Sequence, residues 1–195
     1  MVDFDQSSAL VVVDVQNDFA DPGGGLFVAG GPEVVAACNA LIEQAVAGGA
    51  SVHYTQDWHP PETPHFETGG GPWPVHCVAG TWGAELHPDL RVEGGTVRKG
   101  VSGEDGYSGF SVRHHHSGEV EGTELADRLR EAGAERVVVV GLAADVCVKE
   151  TALDAVRHGF EVIVVRSATA AVDEGPEARA RLHAELTAGG ITVED

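Results

Sequence analysis

A chain of 195 residues, 43% apolar and 22% charged, is long enough to bury one full core and has the balance of an ordinary globular protein. Twelve lysines and arginines stand against 31 acidic residues, and a formal charge of −19 argues against nucleic acid or an anionic membrane surface as partner, since both require clustered basic side chains. No apolar run is long enough to span a bilayer, and the opening MVDFDQSSAL lacks the basic-then-apolar pattern of a secretory signal.

Cys38, Cys77 and Cys147 are odd in number and far apart, a poor disulfide framework, so a reducing cytoplasm is the expected compartment. In chain order, Ala9 to Val15 (ALVVVDV) reads as a strand buried on both faces, closed by Asp14 and the polar pair Gln16-Asn17. Gly23 to Gly31 is a glycine-rich loop. Pro32 starts a helix with Val34, Val35, Cys38, Leu41, Ile42 and Ala45 on one face, ending at Gly48-Gly49. Ser51 to Gln56 is a second strand, with Asp57 at its end. From Trp58 to Gly95 the periodicity fails, and a loop this long in a compact domain is usually functional. Thr96 to Lys99 is a short third strand, and Gly100 to Glu121 is again irregular. Thr123 is predicted to cap a helix through Leu125, Leu129 and Ala132.

The stretch from Arg136 to Gly159 joins a buried strand, Val137 to Leu142, to a helix through Val146, Val148, Ala152, Leu153, Ala155 and Val156. Asp145 stands where an N-cap belongs and Gly159 where a C-cap glycine belongs. Cys147 therefore falls in the first helical turn, where free N–H groups and the helix dipole favour a thiolate and lower the thiol pKa. The same groups could hold a developing oxyanion. Glu161 to Val165 is a fifth strand, Pro176 to Ala188 a last helix and Ile191 to Val193 a final strand. This alternation predicts a single α/β domain over residues 1–195, a three-layer α-β-α arrangement around a mostly parallel, Rossmann-like sheet. Ligands of such sheets bind beyond the carboxyl ends of the strands, where Asp14, Asp57, Lys99 and Cys147 all fall.

A cysteine hydrolase acting on an amide needs a base for the thiol proton and an acid to return it to the leaving amine. Asp14 can do both if its pKa is raised, and Lys99 can hold carboxylate and thiolate by charge. Each of these residues alone is more simply a solvated strand end, and a lone cysteine a small core residue; the three together favour chemistry. A second cluster, Asp57-Trp58-His59 followed by His65 and His76, offers the carboxylate and imidazoles that suit one divalent metal ion, whether zinc, iron or manganese. His114-His115-His116 reads as a solvated loop without carboxylate spacing, Cys38 as core and Cys77 as a buried structural thiol.

The segments VDVQNDF (Val13 to Phe19), DWHP (Asp57 to Pro60) with His65, WPVHCVAGT (Trp73 to Thr81), RKG (Arg98 to Gly100), YSGF (Tyr107 to Phe110) and VGLAADVCVKETALDA from Val140 occur in order along nearly the whole chain. Together they resemble the nicotinamidases (pyrazinamidases) of the isochorismatase-like cysteine hydrolase family. The resemblance implies a catalytic triad of Asp14, Lys99 and Cys147 and a metal bound by Asp57, His59, His65 and His76. It also implies a cis peptide between Leu142 and Ala143, with the Ala143 and Cys147 N–H groups forming the oxyanion hole. Phe19 and Trp73 match residues that sandwich the substrate ring, and Tyr107 is a further pocket residue. The substrate so implied is a small molecule, nicotinamide, with pyrazinamide as a second candidate; monomer and homo-oligomer are both open. Isochorismatases themselves lack the nucleophilic cysteine, so Cys147 argues against that activity. Two alternatives stand beside this reading, another small-amide or carbamoyl hydrolase of the family, and a metal-binding or redox-sensing module without turnover.

Overall fold

Eight strands form in the computed structural model, which describes residues 2–195. They are β1 (Ser8–Val13), β2 (Ser51–Asp57), β3 (Gly95–Lys99), β4 (Ser111–Arg113), β5 (Val120–Gly122), β6 (Arg136–Leu142), β7 (Glu161–Ala170) and β8 (Thr192–Glu194). Six of them make one sheet in the order β3-β2-β1-β6-β7-β8, every neighbouring pair parallel, while β4 and β5 form a separate antiparallel hairpin. The helices are α1 (Asn17–Ala20), α2 (Gly31–Gly48), α3 (Leu125–Glu131), α4 (Lys149–Arg157) and α5 (Pro176–Ala188).

Alternate side chains of a strand point to opposite faces, and the two cores follow from that. Leu10 and Val12 of β1, with Val138 and Val140 of β6, pack against Val34, Val35, Cys38, Leu41 and Ile42 of α2. Val11 and Val13, with Val137 and Val139, pack on the other face against Leu125 and Leu129 of α3, Ala152 and Ala155 of α4 and Leu186 of α5. The expected three layers and parallel sheet are thus present. No helix among the described residues is long and apolar enough to cross a membrane.

Some local expectations are corrected. β1 stops at Val13 instead of Val15, because Asp14 takes a left-handed backbone (φ 49°) that turns the chain out of the sheet. β7 runs five residues beyond Val165, to Ala170, after a register shift opposite Val139 and Gly141. The helix after β6 opens as a π-helical turn over Ala144–Val148 and becomes α-helical only at Lys149. Asp145 is not its N-cap: Ala143 holds that position in an extended conformation, and the Asp145 carboxylate accepts hydrogen bonds from Val172 and Asp173 instead. Glu124, and not Thr123, holds the N-cap position of α3 and makes no side-chain cap; Thr123 Oγ1, one residue earlier, accepts the Leu125 N–H at 3.2 Å. α1 and the β4–β5 hairpin carry too few residues, and too little alternation, to have been read from periodicity.

Candidate active site

Strand order brings the charged residues at the strand ends together. Lys99 ends β3 directly opposite Asp57 at the end of β2, and β1 lies next to β2, so Asp14 comes up beside them. Lys99 is completely buried; its Nζ is 2.6 Å from Asp14 Oδ2, is ion-paired to Asp57 Oδ1 and donates to Cys147 Sγ at 3.7 Å. Asp14 Oδ1 accepts a hydrogen bond from Thr55 Oγ1 at 2.7 Å, whereas Oδ2 receives no well-directed hydrogen bond despite the nearby ammonium. Acceptor atoms of Asp14 and Asp57 and the Cys147 sulfur all lie within 4.8 Å of one another.

Burial sets the charges here. It would neutralise Lys99, but the carboxylates of Asp14 and Asp57 outweigh it and hold the lysine pKa well above its usual value. Burial pushes the Asp14 carboxyl up, against the pull of Lys99 and with a further push from Asp57. For Asp57, burial is overcome by the Lys99 charge, and its carboxyl stays well below the usual range. The expectation of a lowered thiol pKa at Cys147 is corrected. Burial, with Asp14 and Asp57 nearby, pushes it well above its ordinary value although Lys99 pulls the other way. At rest the sulfur is a thiol, and a helix terminus is too weak to reverse the desolvation of a buried anion.

The second cluster adjoins the first through Asp57. Ring nitrogens of His59, His65 and His76 lie within 4.8 Å of one another, and Asp57 Oδ2 is 3.8 Å from His59 Nε2 and 3.7 Å from His76 Nε2. Those separations are too long for hydrogen bonds and leave room for an ion between the donors. Both His59 ring nitrogens are buried without a hydrogen-bond partner among the described residues, which costs about 1–3 kcal/mol per group, and a cation bound at one of them would offset that one. The other rings are held for the same purpose: His76 Nδ1 donates to the Pro74 carbonyl at 2.7 Å and His65 Nδ1 to Asp105 Oδ1 at 2.6 Å, so each presents Nε2 to the cluster. Burial lowers the His65 pKa to about 4, keeping it neutral and able to ligate. The donor set fits a divalent metal.

Phe19, Trp73 and Tyr107 line a narrow cavity of about 30 Å3 together with Cys147, His65 and His76. Trp73 Nε1 donates to the Tyr107 hydroxyl at 2.9 Å, and the Phe19 and His76 rings lie 5.4 Å apart. Ala143 borders the same cavity, and the Leu142–Ala143 peptide is cis. A larger surface groove of about 550 Å3 passes Ser111, Lys149 and Arg157, but Cys147 does not line it. Every candidate residue singled out from the sequence therefore lies in one region.

Four supporting residues escaped the sequence reading. Thr55 holds Asp14. Gln16 locks the Asp57 backbone, donating through Nε2 to its carbonyl at 2.8 Å and accepting its N–H at 2.9 Å. Asp18 accepts from Gly25 N–H at 2.8 Å and Cys77 N–H at 2.6 Å, pinning two loops to α1. Asp105 orients His65 and lies 3.3 Å from His115 Nε2, so the histidine run is less solvated than expected: it meets a carboxylate. Gln16 and Asp18 had a sequence signal, as polar residues directly after a buried strand; Asp105 sits in an aperiodic stretch and had none. Cys77 is buried, as expected of a structural thiol.

The family profile of the isochorismatase domain matches residues 8–195. The chain is 36% identical to a nicotinamidase of Escherichia coli, over 95% of this chain and 93% of that protein. Among solved structures, the pyrazinamidase of Pyrococcus horikoshii in complex with zinc superposes with a TM-score of 0.85 at 40% identity, covering 96% of this chain and 98% of that one. PnC1 from L. infantum in complex with nicotinate gives a TM-score of 0.88 at 39% identity, covering 98% and 94%.

Proposed function

The chain belongs to the isochorismatase family, and from that premise we propose that it is a nicotinamidase, converting nicotinamide and water to nicotinate and ammonia. One observation carries the reading: the thiol of Cys147 and the candidate ligands Asp57, His65 and His76 open into the same aromatic-lined cavity, so a ring can be held at one point while its carboxamide is cleaved at another. The nicotinate complex of the L. infantum protein supports a pyridine carboxylate as product.

Asp14, with its raised pKa, is the base that takes the Cys147 proton as Sγ attacks the carboxamide carbon. The N–H groups of Ala143 and Cys147 donate to the oxyanion. Asp14 returns the proton to nitrogen as the C–N bond breaks and ammonia leaves a thioester. It then removes a proton from water, which attacks the thioester and releases nicotinate and the thiol. Lys99 holds Asp14 and the developing thiolate in place. Asp57, His59, His65 and His76 would hold a divalent metal, zinc, iron or manganese, which when bound would supply an electrophilic anchor for the pyridine nitrogen. Phe19 and Trp73 cover the ring faces, and Tyr107 braces Trp73. Three free thiols suit a reducing cytoplasm.

Ammonia release by the purified protein tests the assignment directly. Nicotinamide and pyrazinamide, each with a ring nitrogen meta to the carboxamide, should be turned over. Benzamide lacks that nitrogen and isonicotinamide misplaces it, and both should fall at least about a hundredfold in kcat/KM through lost positioning. Equal kcat/KM for benzamide and nicotinamide would overturn the reading.

A further inference from the structure

One wall of the cavity comes from a loop that takes no part in the chemistry. Beyond Ala170 the chain turns back over residues 171–175, and Val172, although 52% exposed, lines the cavity beside Cys147. Two charge-assisted hydrogen bonds hold this loop: Asp145 Oδ1 accepts the Val172 N–H at 2.9 Å and Oδ2 the Asp173 N–H at 3.0 Å. Within the loop, Ala171 N–H donates to Glu174 Oε1 at 3.0 Å, and Glu174 is ion-paired with Arg179 of α5. Asp145 lies two residues before Cys147 on the same helical turn, so the loop is referenced to the nucleophile itself.

A pyridine ring in this site is already committed at two points. On that reading a metal held by Asp57, His59, His65 and His76 would anchor its nitrogen, Cys147 would meet the carboxamide carbon, and Phe19 and Trp73 would cover its faces. The ring can then neither slide nor tilt to make room, and any added bulk must project from its remaining edge toward the aliphatic lining of Leu26, Val28, Val146 and Val172. Val28 is buried in the core, whereas Val172 has solvent behind it. Truncating Val172 therefore opens a door to solvent and leaves no closed void, so it changes what fits at little cost to the fold.

Resting on the nicotinamidase reading, we infer that Val172 is a specificity-determining wall that confines the site to an unfused six-membered ring, and that Asp145 is the positioning residue that sets this wall against the nucleophile. The test is a ratio of kcat/KM values, for quinoline-3-carboxamide (bulk at ring positions 5 and 6) and 4-methylnicotinamide (bulk at position 4), each over nicotinamide. In Val172→Ala and Val172→Gly at least one ratio should rise about tenfold or more, the scale of removing one or two carbons from an apolar pocket. Asp145→Ala should raise the same ratio, acting through KM more than kcat, and should add little in a Val172→Ala background. If all proteins hydrolyse nicotinamide but neither ratio changes in either Val172 variant, the wall is elsewhere and the inference falls while the nicotinamidase reading stands. A full additive effect of Asp145→Ala would overturn its positioning role. Failure of the unmodified protein on nicotinamide would remove both the reading and the wall built on it.

Discussion

Lys99 is an ammonium with no exposed surface, and alone in such a place it would cost several kcal/mol. Asp14 and Asp57 offset that cost, and the arrangement leaves Cys147 beside a fixed cation with its proton still on sulfur. Selective chemistry at this thiol follows. Cys147 is 7% exposed whereas Cys38 and Cys77 are fully buried, so iodoacetamide should label Cys147 first, and turnover should vanish in step with that single adduct on mass mapping. Cys147→Ala should be inactive but folded, while Cys38→Ala and Cys77→Ala keep most activity; a working enzyme with Cys147 fully alkylated would exclude it as nucleophile. Asp14→Asn preserves shape but cannot accept a proton, and its rate should fall by about a hundredfold to ten-thousandfold. Because burial raises the Asp14 pKa and the base must be ionised, kcat/KM should drop as pH falls through a value above the ordinary carboxylate range. An acid limb that stays put in Asp14→Asn would assign the proton to another group.

At the level of elements, the contact between β1 and β6 sets the positions of Asp14 and Cys147 together. Gly141 sits in β6 at φ 110°, and a Cβ there would come 2.1 Å from the Val13 carbonyl oxygen, so no side chain fits without parting the two strands. Gly141→Ala should cost at least about 2 kcal/mol, read from the urea midpoint, and should lower kcat as well; a neutral result would mean the strands can part without consequence. The sheet and its layers were legible from runs such as ALVVVDV and RVVVVGL, whose β-branched continuity has few other readings. The site was legible because parallel strands end on one side. What stayed hidden depends on partners distant in sequence. An aspartate before a helix looks the same whether it caps that helix or, like Asp145, ties down a remote loop. The Cys147 pKa followed from local helix geometry until the burial and the carboxylates brought by other strands were counted. Asp105 acquires its role only when the β4–β5 hairpin is in place, through paired backbone bonds with Arg113 at 2.9 Å each.

Over the whole molecule, 31 acidic against 12 basic side chains make self-repulsion a standing load on the folded state. Raising ionic strength from about 10 to about 150 mM shortens the screening length from roughly 30 to roughly 8 Å and should raise the melting temperature; a fall would mean that surface ion pairs outweigh the net charge. The sheet order has a consequence in time. Lys99, Asp57, Asp14 and Cys147 come from four adjacent strand ends, with Lys99 42 residues from Asp57 and 48 from Cys147 along the chain. Parallel neighbours are joined only by long crossovers, whose closure entropy must be met before the pairing contributes anything. No early hairpin or isolated helix can hold even half of the machinery. After dilution from urea, ammonia release should therefore return later than far-ultraviolet circular dichroism and together with the last sheet contacts. Catalysis in this chain would then serve as a clock that starts only when assembly is complete, and turnover appearing ahead of the dichroism would stop it.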